Sequence, residues 1–130
     1  MKNYVGYASI EYYQDEYRSS IITDEDALER GLKQASRHID TLTFNRINAI
    51  GFDNLTDFQK EIIREVVCLQ ADFEVENADE LESILSSYSI NGVSASFSSS
   101  WNIVTQQGVA MKRDVYALLA QTGLTSRLAR

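Results

Sequence analysis

The side chains able to do chemistry in this 130-residue chain are few and scattered. Carboxylates come in close pairs, Asp24 with Asp26 and Glu74 with Glu76, and such pairs serve general acid–base work when a dry setting keeps one of them protonated. Both pairs lie in acidic runs, so the pattern predicts solvated faces instead. Cys68 shares a helical flank with Arg64, Glu65 and Asp72, but zinc takes three or four well-spaced ligands and a nucleophilic thiol needs a base. The single histidine, His38, is distant in sequence. The reading is an inert, partly buried thiol and a surface or boundary histidine. The chain has no glycine-rich phosphate loop, cysteine pair, histidine cluster or nucleophile-elbow serine. No catalytic, cofactor-binding or metal-ligating residue is assigned, and a protein without enzymatic activity or cofactor is expected.

The formal net charge of −7 argues against nucleic acid as the main partner, because phosphate binding draws on clustered Lys and Arg. The charge is uneven: residues 1–83 hold 18 of the 19 acids and 8 of the 12 bases, residues 84–130 one acid and four bases. Such asymmetry can orient head-to-tail contacts between copies, or it can be a solvated acidic surface with a few basic residues at the end. No apolar run approaches the roughly 18 residues that span a bilayer, and the start, Met1-Lys2-Asn3-Tyr4, lacks a signal peptide's apolar core. A lone cysteine fits a reducing compartment such as cytoplasm.

Helical signals along the chain frame the elements that must position any site. Ser9 can cap a helix from Ile10 to about Tyr17, near which lie Tyr4, Tyr7, Tyr12, Tyr13 and Tyr17; these rings either dock on another protein or cover the chain's own core. Thr23 stands as N-cap for a helix of about Asp24 to Asp40 with the stripe Leu28, Leu32, Ala35, Ile39 and Leu42. After a turn centred on Gly51, Thr56 and Gln59 form a capping box for a second long helix. Its apolar residues Phe58, Ile62, Ile63, Val66, Val67, Leu69 and Phe73 cover more than one stripe, which predicts burial on two sides at the centre of a bundle. Asn77 with Glu80 can cap a short further helix carrying Leu81, Ile84 and Leu85, or that segment continues the second long helix after a break. The last helix is expected from near Gly108, with Met111, Val115, Leu118 and Leu119 on one face and Val109, Tyr116 and Ala120 on another. Gly123 is placed as its Schellman glycine, with Leu124 packing back on Leu119.

Between the long helices and this last one, Ser86-Tyr88-Ile90 and Val93-Ala95-Phe97 alternate around Asn91-Gly92, the pattern of a β-hairpin. An isolated hairpin is marginal in water, so it should lie on helices of its own chain or on another copy. The only tryptophan, Trp101, follows it, either as a lid over the core or as an interface anchor. The fold class that results is mainly α: one small helical bundle over residues 1–130 with a short inserted hairpin or extended loop at 86–101 and a flexible tail at 125–130.

The order Ser9-Ile-Glu-Tyr-Tyr, Thr23-Asp-Glu-Asp with its helix, Ser87-Tyr-Ser-Ile-Asn-Gly-Val-Ser-Ala-Ser-Phe97 and Tyr116-Ala-Leu-Leu-Ala-Gln-Thr-Gly-Leu124 resembles the head–tail connector (adaptor, or head-completion) proteins of long-tailed phages and prophages over nearly the whole chain. The serine-rich strand pair and the Leu118–Leu124 ending are its most specific parts. The resemblance implies a helical, non-enzymatic virion protein at the head–tail junction, made in the host cytoplasm. It would form a ring homo-oligomer, typically twelvefold, beneath the portal protein, facing tail or neck proteins, with no sequence-specific nucleic acid and no membrane as partner. By region it places contacts between subunits at Tyr88, Ile90, Val93, Phe97 and Trp101, and portal binding at Val109, Lys112, Arg113, Tyr116, Arg127 and Arg130. A tail-completion or other neck protein, or a small cytoplasmic protein-binding regulator, are the alternative readings.

Overall fold

The structure is a computed structural model that describes residues 6–78 and 103–126. Over these residues it is mainly helical, as the periodicity of the sequence leads one to expect, and carries one short antiparallel hairpin. Helix α1 spans Glu25–Leu42. Its N-cap is Asp24, one residue after the expected Thr23: Asp24 keeps an extended backbone and its carboxylate accepts from the Ala27 N–H at 2.9 Å. A carboxylate also suits the positive end of the helix dipole, which favours aspartate over threonine at this position. At the other end α1 runs two residues past Asp40, to where the buried Thr43 hydroxyl donates to the Ile39 carbonyl at 2.8 Å. Phe44 and Asn45 then take φ of 56° and 61° and turn the chain into the short helix α2, Arg46–Ile50, which the sequence pattern does not announce.

Gly51 closes α2 at φ 93°, where a Cβ would stand 2.9 Å from the Asn54 amide nitrogen, so glycine is required there. Helix α3, Asp57–Glu76, starts on the expected capping box: the Thr56 hydroxyl accepts from the Gln59 N–H at 3.1 Å and the Gln59 side-chain oxygen from the Thr56 N–H at 3.0 Å. It is buried on two sides, with Ile62, Ile63, Val66, Val67, Cys68 and Ala71 in the core, and packs on α1, on the last helix and on the N-terminal arm. Each of the isoleucines and valines contributes roughly 1.5–3 kcal/mol relative to an exposed one. Phe58 departs from the expected pattern: it is 58% exposed.

The arm before α1 covers the chain's own core, which settles that choice for its described tyrosines. The Ser9 hydroxyl accepts from the Tyr12 N–H at 3.0 Å, a turn of helix begins at Ile10, and Tyr12–Tyr17 continues as a π-helix closed by Arg18 at φ 62°. Tyr13 is fully buried, and Tyr7, Tyr12 and Tyr17 pack half-buried against the core.

The C-terminal part corrects the sequence expectation. Ile103–Gln106 (β1) and Val109–Lys112 (β2) pair antiparallel, Gln106 opposite Val109, around Gln107 and Gly108, both at positive φ, as a tight two-residue hairpin turn demands. The last helix, α4, is therefore only Arg113–Ala120. Residues 109–112 mislead because Met111 is in phase with Val115 and Leu119, while Val109, Ala110 and Met111 are all buried and hide the alternation of a strand. The expected hairpin at 86–97 and the helix expected from Asn77 onward fall mostly or wholly outside the described residues.

Candidate interaction surface

The hairpin and α4 form one unit fixed to α3 at both ends. At the end of α4, Gly123 sits at φ 79° and its N–H reaches the Ala120 carbonyl at 3.0 Å, half of the expected Schellman pair. The other half is rebuilt by a side chain: the Thr122 hydroxyl donates to the Leu119 carbonyl at 2.7 Å and accepts from the Leu124 N–H at 3.2 Å. Gln59 then donates to the Thr122 carbonyl at 3.0 Å and Arg46 to the Leu124 carbonyl at 2.8 Å. Leu124 is buried in the same core as Leu119. At the other end the Lys112 ammonium lies 5.9 Å from the centre of the Phe73 ring. Since Gln59 opens α3 and Phe73 is near its close, α4 runs antiparallel to α3.

Of the residues the resemblance assigns to the portal, Lys112 and Arg113 are exposed and Tyr116 is half-buried on the core. Val109 is corrected: it is 5% exposed within the core and offers no outer patch, because it belongs to β2 and not to a helix face. Arg127, Arg130, Tyr88, Ile90, Val93, Phe97 and Trp101 lie outside the described residues.

Two buried carboxylates, Asp72 and Asp40, are bonded to side chains of the N-terminal arm. The Tyr13 hydroxyl donates to Asp72 at 2.6 Å and accepts from the Ile22 N–H at 3.1 Å, while Ser19 donates to the second Asp72 oxygen at 2.8 Å. Tyr7 donates to Asp40 at 2.5 Å, and its N–H to the Ser36 hydroxyl at 3.0 Å. These bonds satisfy two largely buried carboxylates, which would otherwise be costly, and strap the arm onto α3 and α1. Cys68 is fully buried, and burial pushes its thiol up to about 12, with Asp72 and Glu65 adding to the effect. It stays protonated at neutral pH, as an inert thiol does.

A cleft of about 470 Å³ opens where α1, the C-terminal half of α3 and the turn into β2 meet, floored by Gly31, Ala71, Val109 and Ala110 and rimmed by Val75 and Ala78. His38 and Glu74 line it in direct contact with each other. Glu74 also accepts from Gln70 at 2.8 Å, whose amide nitrogen donates in addition to the Ala110 carbonyl at 2.8 Å. In a two-residue hairpin the pair flanking the turn exchanges hydrogen bonds and the next pair points its backbone outward; Ala110 is in that pair, so its carbonyl faces α3 and needs Gln70. The sequence reading placed Glu74 in a solvated acidic run. It is instead an anchored group, a contact that no spacing along one helix reveals, because its partner is on α1.

Among the described residues no group of three or more His, Cys, Asp or Glu is arranged to hold a metal ion, and no helix is long and apolar enough to cross a membrane. No family model, curated protein or solved structure matches the chain.

Proposed function

We propose that this protein is a structural adaptor of a phage or prophage head–tail junction, a ring homo-oligomer that binds a portal protein through its C-terminal region and presents another face to tail or neck proteins. The observation that carries the reading is the closing segment Tyr116–Leu124. It contains Leu118–Leu124, one of the two most specific parts of the resemblance, and it is a built anchor: the Thr122 hydroxyl, Gly123 at positive φ, and side chains from α2 and α3 all hold it. Lys112 and Arg113 are exposed at the start of the same unit. An acidic remainder of the body, lining a channel, would let DNA slide without sticking.

The test compares the full chain with a chain ending at Leu124, each mixed with the candidate portal and imaged in negative stain. The shortened chain keeps every bond of the anchor, so its circular dichroism and melting should be unchanged. Added density beneath the portal is expected with the full chain and not with the shortened one, and the attachment should weaken as salt rises. A full chain that adds no density, or a shortened chain that still yields infectious particles, refutes the reading.

A further inference from the structure

Two arginines are half-buried among the described residues, Arg46 and Arg64. Arg46 donates to the Leu124 carbonyl at 2.8 Å. Arg64 forms no hydrogen bond or ion pair; its head group lies 5.3 Å from the centre of the Phe52 ring, which stacks in turn on Tyr7 at 5.1 Å. An aromatic face attracts a cation but leaves the N–H donors of a guanidinium without an acceptor. Polar groups drawn out of water are normally hydrogen-bonded, and an exception calls for a reason. Arg64 lines a cleft of about 520 Å³ that residues 6–11 of the arm enclose with α1 and α3. The arm presses on α1 at Gly6, where a Cβ would stand 3.1 Å from the Ser36 hydroxyl oxygen, and the Tyr7 N–H donates to that oxygen at 3.0 Å. Tyr7, Ala8, Ile10 and Leu32 give the cleft an apolar wall. Three other charged side chains line it: Lys33 and Glu29 pair with each other at 3.6 Å, and Glu11 is exposed to water. Arg64 is therefore the one charge of the cleft that is neither paired nor exposed.

We propose that this cleft binds a monocarboxylate with an apolar body, the carboxylate accepting from the Arg64 guanidinium and the body lying on Tyr7, Ala8, Ile10 and Leu32. A guanidinium presents parallel N–H donors that match the oxygens of a carboxylate or a phosphate. Glu11 and Glu29 decide between the two, because they repel a doubly charged phosphate more than a singly charged carboxylate. The apolar wall asks for more than a bare anion, and the volume falls within the range of about 300–1,000 Å³ common to small-molecule sites. The same chemistry is offered by a free aliphatic acid and by the C-terminal residue of a peptide with an aliphatic side chain. The cleft shares no residue with the Tyr116–Leu124 anchor, so the proposal stands independently of the portal reading.

The experiment is a nitrogen–proton NMR titration of the full chain with sodium hexanoate, run against equal sodium chloride up to about 50 mM, well past the millimolar affinity that a ligand of this size can supply. The Arg64 Nε–H resonance and the backbone amides of Tyr7, Ala8 and Lys33 should shift and saturate. Hexanamide, which lacks the charge, and acetate, which lacks the body, should each bind at least about tenfold more weakly. Arg64→Gln should weaken hexanoate binding by at least about tenfold; should that variant fail to melt like the parent, Arg64→Lys, which keeps the charge and loses the fork, should weaken it too. Glu11→Gln should tighten binding by about twofold, the effect of one exposed like charge. Arg30→Gln, at an exposed cation of α1 that does not line the cleft, should leave it unchanged. N-acetyl-leucine separates the two sources: tighter binding than hexanoate assigns the cleft to a peptide C-terminus, weaker binding to a free acid. No saturable shift with either carboxylate, equal binding of hexanamide, undiminished binding by the folded Arg64 variant, or equal weakening by Arg30→Gln overturns the proposal.

Discussion

Replacing Tyr13 by Phe removes one oxygen atom from a fully buried ring, and the structure gives its cost. Three contacts of the hydroxyl go: the 2.6 Å donation to the Asp72 carboxylate, the 3.0 Å contact with the Ser19 hydroxyl and the 3.1 Å bond accepted from the Ile22 N–H. Asp72 is 5% exposed and keeps Ser19 at its other oxygen, and Ile22 is 6% exposed, so water cannot easily take the place of the hydroxyl. A bond to a charged acceptor is worth about 1.5–3 kcal/mol net, and a buried donor left alone costs about 1–3 kcal/mol. Allowing for the apolar gain and partial relaxation, Tyr13→Phe should lower stability by about 2–4 kcal/mol. Urea unfolding followed by circular dichroism measures it, as a lower midpoint at unchanged slope. Hydrogen exchange should accelerate first in residues 10–22, since the lost bonds strap the arm to α3. A change below about 0.5 kcal/mol would mean that the network does not carry the arm, and an Asp72→Asn partner in a double-mutant cycle would then show no coupling.

Other outcomes follow from single features. Leu32→Ala, at a side chain 2% exposed in the shared core, should cost about 2–5 kcal/mol in the same assay. Gly31→Ala should stabilise by about 0.5–1 kcal/mol, because a Cβ there meets only ordinary contacts at 3.6–4.0 Å and glycine is a poor helix former; Gly123→Ala, at φ 79°, should destabilise by about 1 kcal/mol. Alkaline unfolding should begin above pH 9. Burial raises the Cys68 thiol from 9.0 to about 12 and raises Tyr13, Tyr12 and Tyr17 above 10.0, so over that range the folded chain binds more protons than the unfolded one and stability falls as pH rises. Cys68→Ala should remove up to about 1.4 kcal/mol per pH unit of that slope between the two thiol values, read by urea midpoints at successive pH.

The long helices were legible because their signals are local. A capping box at Thr56 and Gln59, acids in the first turn of α1, and stripes such as Leu28, Leu32 and Ile39 act within a few residues, so backbone geometry alone turns them into structure. The inert Cys68 was legible too, since its helical neighbours supply no base. What misled was information shared between elements. Met111 fits a helix with Val115 and Leu119 as well as it fits a strand, and only packing against α1 and pairing with β1 chose the strand. Val109, expected outside, went inside by that choice. Glu74 looked solvated until α1 brought His38 to it.

The sequence by itself determined that this chain is mainly helical, where its two long helices begin to within a residue, most of the side chains they bury, and that its one thiol is chemically quiet. Only the tertiary structure decided the fate of the tyrosines, the strand before α4, the Thr122 hydroxyl in the closing turn, and the cleft between α1, α3 and β2. The physical reason is range. Caps and stripes are set by interactions three or four residues apart, whereas a buried tyrosine hydroxyl, a strand with one hidden face and a cleft are each defined by partners far away along the chain, as Tyr13 is by Asp72 and Gln70 by Ala110.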